Sequence, residues 1–600
     1  KKIKKILFYF IFSSCLINGQ KNDNFKWFNP ESSKENLIEG QAWPKEVENY
    51  YDRLPLKAKI KVNSNIWELG SHSSGLMIRF RSNSEEIKVR YQTKNKNYSL
   101  NHMPATGSSG IDLYAIDADG KKLWVSSTFG RSFKDTIQYH YSRLKPNDNY
   151  NKFGREYRLY LPLYNEVEWL EIGVKDSSDF SPLTKRKEKP IVVYGTSIAQ
   201  GACASRPGMA WTSILSRRMD RPLINLGLDG NGKMHPEVID LVSEIDSKIF
   251  IIDCIPNLIK NDYGWEGIDN EKQFQNLVIN SIKKIRFKNP KTPILITDHA
   301  SYNDHLIKIS NYSDEYIIPN LLQKNVYELL KKEGDKNLYY LSEKEIGFTI
   351  EETVDGLHPS DLGMKIYADA YEKKLRTILN EPVGAFQTTQ PVTQLRELGN
   401  YDWESKHNEI LNLNKLNPPK NIIISNSIIH FWGGLPNFKT KVESESWDNF
   451  FTPLGLRNYA YGWDRIENVL WRIYHGELDG FNAENIFILI GTNNIPLNSN
   501  QEIIEGLRLV SQAVKIRQPN AEIFLMGIIP KRNYEKRIEK LNTKISYLAS
   551  ELSINYSNIG NVFLNKDGSP KINEKLFSDG LHPNKNGYKK MRNELLKILN

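Results

Sequence analysis

The sequence predicts a mixed α/β protein in which a β-sandwich precedes two three-layer α/β/α domains with parallel sheets. Apolar and polar residues alternate from about Trp27 to Pro182, which is typical of half-buried antiparallel strands. After residue 190, short apolar strands alternate with helical stretches, which indicates parallel sheets with right-handed crossovers. The same strand–helix order then occurs a second time, with the same motifs at its beginning and end.

The composition is that of a globular protein. Hydrophobic residues make up 39% and charged residues 25% of the 600 residues, which excludes a disordered chain. No apolar run approaches the ~20 residues that a membrane-spanning helix needs. The formal net charge of +10 includes four lysines within the first five residues. The excess would suit an acidic polymer, but no stripe of Lys and Arg with interleaved aromatics predicts nucleic-acid binding.

Residues 1–19 predict a secretory signal peptide. Lys1–Lys5 is basic, Leu7–Phe12 is wholly apolar, and small residues follow. Cleavage after Gly19 would release an exported protein that is secreted, periplasmic or held at the cell surface. A lipid anchor at Cys15 is the alternative, but a Phe stands where a lipobox usually has a Leu-like residue.

Residues 20–186 are expected to form the β-sandwich. Asp119-Gly120 lies between a run around Leu113 and a run around Val125, which predicts a hairpin. A charged segment ending at Pro190 closes the domain. The alternating apolar positions are Leu76, Ile78 and Phe80; Ile87, Val89 and Tyr91; and Leu170, Ile172 and Val174.

Residues 187–380 and 421–600 are expected to form the two α/β domains, joined by a proline-containing linker at 381–420. A helix is predicted within the first, at Phe274–Ile285. The predicted buried strands are Ile191–Tyr194, Ile249–Ile252, Pro293–Ile296, Ile422–Ile424, Ile486–Ile490 and Ile523–Met526.

The two halves carry the same pair of motifs. A Ser-Ile pair follows the first strand at Ser197 and Ser427, and Asp-Gly-Leu-His-Pro precedes the last helix at Asp355–Pro359 and Asp579–Pro583. The two motifs are separated by nearly the same length of chain in both halves. Such agreement predicts two homologous domains in tandem.

These motifs contain the groups of a serine nucleophile. A hydroxyl needs a base to take its proton, and a carboxylate orients the imidazole that serves as the base. The carboxyl edge of a parallel sheet, where each serine is predicted, is where such domains bind ligands. A serine after a strand is more often a helix N-cap, so the ordered set carries the prediction. The predicted catalytic residues are Ser197, Asp355 and His358, and Ser427, Asp579 and His582.

With these motifs the chain resembles the SGNH (GDSL-type) hydrolases, twice. The resemblance implies flavodoxin-like domains, attack of the serine on an ester, and an oxyanion hole of backbone N–H groups and an Asn amide. It places Gly230 and Asn257 in the first oxyanion hole and Asn493 in the second. It implies no metal and no organic cofactor, and neither HExxH nor CxxC occurs.

Further resemblances concern the parts of the chain. Gly110–Tyr114 reads GIDLY, similar to the GxDLY signature of a β domain found before SGNH domains, and the order resembles carbohydrate esterase family 2. Gly491–Asn494 and the stretch from Asn458 to Arg472 resemble the catalytic subunits of platelet-activating-factor acetylhydrolase Ib. The resemblance implies hydrolysis of O-acetyl or similar short acyl groups on carbohydrate, with a polysaccharide as the expected substrate. Acylated carbohydrate is the expected partner, and the oligomeric state stays open.

Departures from the family pattern leave alternatives. Ser425, Ala460 and Trp463 stand where the family has glycines, so the second domain is either an esterase or a carbohydrate-binding module without chemistry. A lipid acylhydrolase is a further alternative. Cys203 and Cys254 are either a disulfide at the rim of the first site or two buried thiols.

Overall fold

The computed structural model describes residues 24–128, 132–146, 154–261, 264–302, 307, 314–396, 401–565 and 571–599. The predicted signal peptide and Cys15 lie outside these residues. Among the described residues, none of the helices combines the length and apolar character required to span a bilayer.

The N-terminal part is a sandwich of two antiparallel sheets, as predicted. One sheet has the strand order β1-β9-β4-β7 and the other β10-β3-β8-β5-β6, with β2 paired to β3. The Asp119-Gly120 hairpin is confirmed, because Leu113 of β5 pairs with Val125 of β6. The strands are β1 (Phe25–Phe28), β2 (Ile38–Glu39), β3 (Met77–Ser82), β4 (Ile87–Thr93), β5 (Asp112–Ile116), β6 (Lys122–Val125), β7 (Ile137–Tyr141), β8 (Arg155–Tyr160), β9 (Val167–Lys175) and β10 (Phe180–Leu183), with helices α1 (Ser64–Ser71) and α2 (Ala105–Ser108).

The first α/β domain has a five-stranded parallel sheet in the order β12-β11-β13-β14-β15. Side chains of the central strand alternate between two cores, with Ile191 and Val193 on one face and Val192 and Tyr194 on the other. Its elements are β11 (Ile191–Gly195), α3 (Ser197–Gln200), α4 (Trp211–Met219), β12 (Leu223–Gly227), α5 (Pro236–Ser243), β13 (Ile249–Asp253), α6 (Glu271–Lys288), β14 (Ile294–Thr297), α7 (Asp314–Lys332), β15 (Leu338–Leu341), α8 (Glu343–Ile346) and α9 (Asp361–Leu379).

The second α/β domain repeats this topology. Its parallel sheet has the order β17-β16-β18-β19-β20, so the central strand again precedes the Ser-Ile motif. After α10 (Trp403–Leu416), its elements are β16 (Asn421–Ser425), α11 (Ser427–His430), α12 (Ser444–Phe450), β17 (Leu456–Ala460), α13 (Ile466–Tyr474), β18 (Asn485–Leu489), α14 (Asn500–Arg517), β19 (Glu522–Met526), α15 (Glu535–Glu551), β20 (Asn555–Ser557) and α16 (Lys585–Leu599).

Some expectations need correction, while the domain boundaries stay predictions. Helix α1 interrupts the region expected to be almost purely β. The segment 381–420 is a folded connector that contains α10, and Trp403 and Gln394 in it are buried. The prolines of this segment made it look like a linker in the sequence, but all of them lie outside α10. Of the two alternatives for Cys203 and Cys254, the structure shows two buried free thiols and no disulfide between them.

The GxDLY motif fastens the β-sandwich to the first α/β domain. Asp112 accepts hydrogen bonds from the guanidinium of Arg206, the backbone N–H of Gly208 (3.1 Å) and the indole of Trp124 (2.7 Å). Since Arg206 and Gly208 lie in the loop that leads into α4, the motif fixes this loop.

A buried network of charges joins all parts of the chain at Asp220. Its carboxylate pairs with Arg158 of β8 at 2.8 Å and with Arg186 at 3.2 Å, and it accepts a 3.0 Å hydrogen bond from the indole of Trp471 in α13. Arg186 lies in the charged segment that ends at Pro190, and its side chain is nevertheless only 7% exposed. Burial opposes ionisation of Asp220, but the positive charges of Lys122, Arg158 and Arg186 more than offset this and hold its pKa low.

The network extends to the connector and to the second domain. Arg79 of β3 pairs with Glu156 at 3.0 Å and with Glu404 of α10 at 2.7 Å. Oε2 of Glu188 lies 2.7 Å from Nδ1 of His475 in the second domain. Burial lowers the pKa of His475 to about 4, so its contact with Glu188 is a hydrogen bond at neutral pH. The three folded parts are thus held by ion pairs and hydrogen bonds that are largely removed from water.

We expect Asp220→Asn to destabilise the protein by about 3–5 kcal/mol, because it leaves the buried guanidiniums of Arg158 and Arg186 incompletely paired. Asp246→Asn is the matched control: its ion pair with Lys189 has side chains that are 57% and 74% exposed, and such pairs contribute about 1 kcal/mol or less. The measurement is urea-induced unfolding of the full chain. Equal shifts for the two variants would contradict the role given to Asp220.

Candidate active sites

Each predicted nucleophile is the first residue of a short helix at the carboxyl end of a central strand. The capping role belongs to the residue before it: Thr196 Oγ1 accepts from the N–H of Ile198 at 3.3 Å, and Asn426 Oδ1 from the N–H of Ile428 at 3.0 Å. The hydroxyls of Ser197 and Ser427 are therefore not used as N-caps.

In the first domain, the structure brings the predicted Ser, His and Asp together. Ser197 Oγ lies 2.9 Å from His358 Nε2, and His358 Nδ1 lies 2.7 Å from Asp355 Oδ2. Because the carboxylate only accepts, Nδ1 carries a proton and neutral Nε2 is left to accept from the serine hydroxyl. The short helix α3 and the loop before α9 thus meet at one edge of the sheet.

The second domain has the same arrangement. Ser427 Oγ lies 2.8 Å from His582 Nε2, and His582 Nδ1 lies 2.7 Å from Asp579 Oδ2. Each aspartate holds its own loop through Oδ1, which accepts from the N–H of the histidine at 2.7 Å in both domains. The three-residue spacing of Asp and His thus allows one carboxylate to fix both the backbone and the ring.

The electrostatics favour an ionised carboxylate beside each imidazole. Burial raises the pKa of Asp355, but hydrogen bonds from the His358 ring and from the backbone N–H groups of His358 and Leu357 more than offset this, and the net pKa is lowered. The pKa of Asp579 is lowered by the same balance. An ionised aspartate stabilises the imidazolium that forms when the histidine takes a proton.

The predicted oxyanion glycine has a counterpart of the same backbone shape in the second domain. Gly230 follows β12 with φ of +63°, and Trp463 follows β17 with φ of +65°. A bulky residue in this left-handed region is strained.

The connector and the β-sandwich hold the strained loop around Trp463. The carbonyl of Gly462 accepts from Gln394 Nε2 at 2.9 Å and from the Tyr401 hydroxyl at 2.7 Å, and the Trp463 carbonyl accepts from Arg396 at 3.0 Å. Arg396 is itself bound by Asp119 of the β-sandwich hairpin at 2.7 Å. Contacts from outside the second domain therefore maintain a shape that glycine would otherwise supply.

The predicted oxyanion asparagines follow the next strand in each sheet. Asn257 Oδ1 accepts from the N–H of Gly232 at 3.0 Å, and no hydrogen bond from its Nδ2 to another described residue is found. Asn493 donates from Nδ2 to the carbonyl of Asp464 at 2.9 Å. An amide nitrogen carries two protons, so Asn493 keeps a second one for another acceptor.

Two further residues lie beside the Ser, His and Asp of the first site, and the sequence indicated only Cys203, as part of the alternative disulfide at the rim. His102, from the β-sandwich, has its ring 5.4 Å from that of His358. Cys203 adopts φ of +68°, and burial, together with Asp355 and Asp229, raises its pKa to about 12. With His358 these residues offer three metal-ligand atoms that all lie within 4.8 Å of one another. His102 is remote in sequence, and no spacing rule would have found it.

Where the first site has His102 and Cys203, the second site has an aromatic wall formed by Phe431, Phe438 and Trp463. The ring of Phe431 lies 5.1 Å from that of His582, and Phe438 stacks on His430 at 4.1 Å. Trp463, whose carbonyl Arg396 binds, is 42% exposed. The two sites therefore share hydrogen bonds but differ in their surroundings.

Comparison with protein families matches three consecutive parts of the chain. Residues 25–180 match the GxDLY family, described as the N-terminus of an SGNH-hydrolase-type esterase. Residues 188–376 and 426–590 match two models described as GDSL-like lipase/acylhydrolase families.

Individual proteins are also similar. A crystal structure from Bacteroides ovatus, described as a GDSL-like lipase, is 31% identical, with a TM-score of 0.52, over 60% of this chain and 98% of its own. The human platelet-activating factor acetylhydrolase IB subunit alpha2 is 27% identical over 34% of this chain and 85% of its own length. The subunit beta homolog from Drosophila melanogaster is 30% identical over 28% of this chain and 70% of its own. The resemblances inferred from the motifs are thus confirmed.

The buried carboxyl of Asp253, beneath the first site, is expected to make the stability of the protein depend on pH. Asp253 ends β13; burial raises its pKa to about 7, while a 2.9 Å hydrogen bond from Tyr371 opposes the rise. The folded protein therefore keeps a proton that the unfolded chain loses near pH 4. This contribution to stability is present below about pH 4 and is lost as the pH rises to about 7.

We expect Asp253→Asn to match the wild type in stability near pH 4 and to exceed it near pH 8. The difference grows by up to about 4 kcal/mol, because each pKa unit corresponds to about 1.4 kcal/mol. Urea unfolding across this pH range measures it, with Asp246→Asn as the exposed control. A constant difference at every pH would contradict the assignment.

Proposed function

We propose that this chain, which belongs to the GDSL-like lipase/acylhydrolase family, is an exported esterase that removes O-acetyl or other short acyl groups from carbohydrate. Ser197 and Ser427 are the nucleophiles of two independent sites. The observation that carries the proposal is the Ser–His–Asp chain of hydrogen bonds, which has nearly the same distances in both domains.

The reaction begins with attack of Ser197 Oγ on the ester carbonyl. Nε2 of His358 takes the hydroxyl proton, and Asp355 stabilises the resulting imidazolium. Collapse of the tetrahedral intermediate breaks the bond to the leaving alcohol, which receives the proton from His358. Water, deprotonated by the same nitrogen, then hydrolyses the acyl-enzyme and restores the serine. Ser427, His582 and Asp579 perform the same steps in the second domain.

The negative charge that develops on the carbonyl oxygen needs donors at each site. The N–H of Ser197, the N–H of Gly230 and Nδ2 of Asn257 are assigned to the first oxyanion hole. In the second, Asn493 takes the amide role, and Trp463 supplies a backbone N–H at the position of Gly230.

A short acyl group on a polar alcohol suits the first site. The groups around His358 are polar: His102, Cys203 and Asp229, whose carboxyl lies near both histidines. The chain has a GxDLY domain before an acylhydrolase domain, an order that resembles carbohydrate esterase family 2. This resemblance also supports a carbohydrate ester as the substrate. The polysaccharide and the sugar position are left to experiment.

A lipid or platelet-activating-factor-like acylhydrolase is the second candidate, favoured by the aromatic wall of the second site. Phe431 beside His582 and the exposed Trp463 offer apolar surface to a longer acyl chain or to the face of a sugar ring. The remaining alternative, a binding module without chemistry, gives no reason for the Ser427–His582–Asp579 hydrogen bonds.

We expect Ser197→Ala and Ser427→Ala each to retain part of the acetylesterase activity and the double variant to lose about 10⁴–10⁶-fold in kcat. Hydrolysis of a chromogenic acetate and release of acetate from acetylated polysaccharides are measured. Ser177→Ala, an exposed serine of the sandwich, is the control. A double variant as active as the wild type would contradict both nucleophiles.

The same variants separate the candidate substrates. Faster hydrolysis of acetyl than of long-chain esters supports the carbohydrate esterase, whereas a preference for long chains in Ser197→Ala favours a lipid acylhydrolase in the second domain. If Ser197→Ala alone abolishes the activity of the wild type, the result would favour a second domain that binds carbohydrate without chemistry.

We expect Asn257→Ala, made in the Ser427→Ala background, to lower kcat by about 10²–10³-fold with little change in KM. Asn257→Asp is the discriminating variant, because it keeps an acceptor for the N–H of Gly232 but removes the amide donor. A donor role predicts that both variants lose activity. Retained activity in Asn257→Asp would mean that Asn257 only holds the loop.

A further inference from the structure

We propose that His102, Cys203 and His358 form a binding site for a soft divalent cation, with Zn²⁺ as the reference ion, and that metal bound there blocks the first active site. The blocking effect rests on the proposed function of Ser197 and His358. The metal site itself does not, because it follows from the position of three ligand atoms.

The three side chains already converge from separate parts of the fold. His102 comes from the β-sandwich, Cys203 from the loop after α3, and His358 from the loop before α9. Their ligand atoms all lie within 4.8 Å of one another. Tetrahedral zinc with bonds of about 2.0–2.3 Å needs separations of about 3.3–3.8 Å, so inward movements of about 1 Å complete the site.

His102 is placed to make such a movement. It lies in the turn between β4 and α2, its side chain is partly exposed, and no side-chain hydrogen bond to another described residue is found for it. Its ring is tilted by 34° to that of His358. Imidazole and thiolate together favour Zn²⁺ or Co²⁺ over Mg²⁺ and Ca²⁺, which prefer oxygen ligands.

The hydrogen bond of His358 to Asp355 already resembles the outer contact of a metal-bound histidine. Such a ligand usually donates its second ring N–H to a carboxylate, and Nδ1 of His358 does this at 2.7 Å. The nitrogen that remains for the metal is Nε2, the atom that Ser197 Oγ faces at 2.9 Å. A metal ion bound to Nε2 therefore prevents this nitrogen from taking the proton of the Ser197 hydroxyl.

The second site lacks this set, which makes the expected inhibition selective. Counting from the nucleophile, Gly433 stands where the first domain has Cys203, and the ring near His582 is Phe431. Within the described part of the chain, the cluster at the first site is the one group found with three such ligands.

Cobalt binding tests the site without any turnover. Co²⁺ added to the full chain should give thiolate-to-cobalt charge-transfer absorption with one ion per chain. Cys203→Ala should abolish the band and His102→Gln should weaken binding, whereas Cys254→Ala, which removes the other free thiol of the described residues, should leave both unchanged. Asp355→Asn should lower the affinity by about 10–100-fold. A band that survives Cys203→Ala, or no band in the wild type, overturns the site.

Inhibition is then measured in the Ser427→Ala background, with each variant compared with its own metal-free rate. Zn²⁺ at ten times its dissociation constant should lower acetylesterase activity by about tenfold, and Mg²⁺ at the same concentration should not. His102→Gln and Cys203→Ala should relieve the inhibition. Metal binding without inhibition overturns the blocking effect, while a cobalt band in a chain without esterase activity contradicts the proposed function and leaves the metal site standing.

Discussion

The carboxylate of Asp220 is the contact on which the arrangement of the three folded parts depends. It belongs to the first α/β domain and binds Arg158 of the β-sandwich and Trp471 of the second α/β domain. A charge so deeply buried is tolerable only while its partners remain. If one partner were lost while the others stayed buried, an unpaired charge would be left away from water. The three parts are therefore expected to keep their arrangement together.

The two sites show how one hydrogen-bonding scheme is kept while its surroundings change. Both domains place Ser, His and Asp by the same devices: a capped helix after a central strand, and a loop closed by the aspartate before the last helix. The walls differ because they come from elsewhere. The β-sandwich brings His102 to the first site, while the second domain supplies Phe431 from its own sequence.

Much of this could be predicted from the sequence, because the strands are short, apolar and bounded by clear motifs. Ile191–Tyr194 and Ile422–Ile424 lie in β11 and β16, and the Asp-Gly-Leu-His-Pro motifs precede α9 and α16. Because the same two motifs occur in both halves of the chain, they strongly supported the prediction of the Ser, His and Asp sets. Helix α10 and the burial of Arg186 were missed, since charged and proline-rich segments look solvent-exposed unless their distant partners are known. Likewise, nothing near His102 indicates that it faces His358.

The connector that holds Gly462 and Trp463 has a consequence for how such a chain can evolve. Gln394, Arg396 and Tyr401 lie upstream of the second domain, yet they donate hydrogen bonds to the carbonyls of Gly462 and Trp463 within it. A gene fusion that transferred only residues 421–600 would deliver the Ser, His and Asp but lose the contacts that keep Trp463 in its left-handed conformation. The segment that must be inherited together is thus longer than the domain that carries Ser427, and the tandem is expected to be exchanged whole.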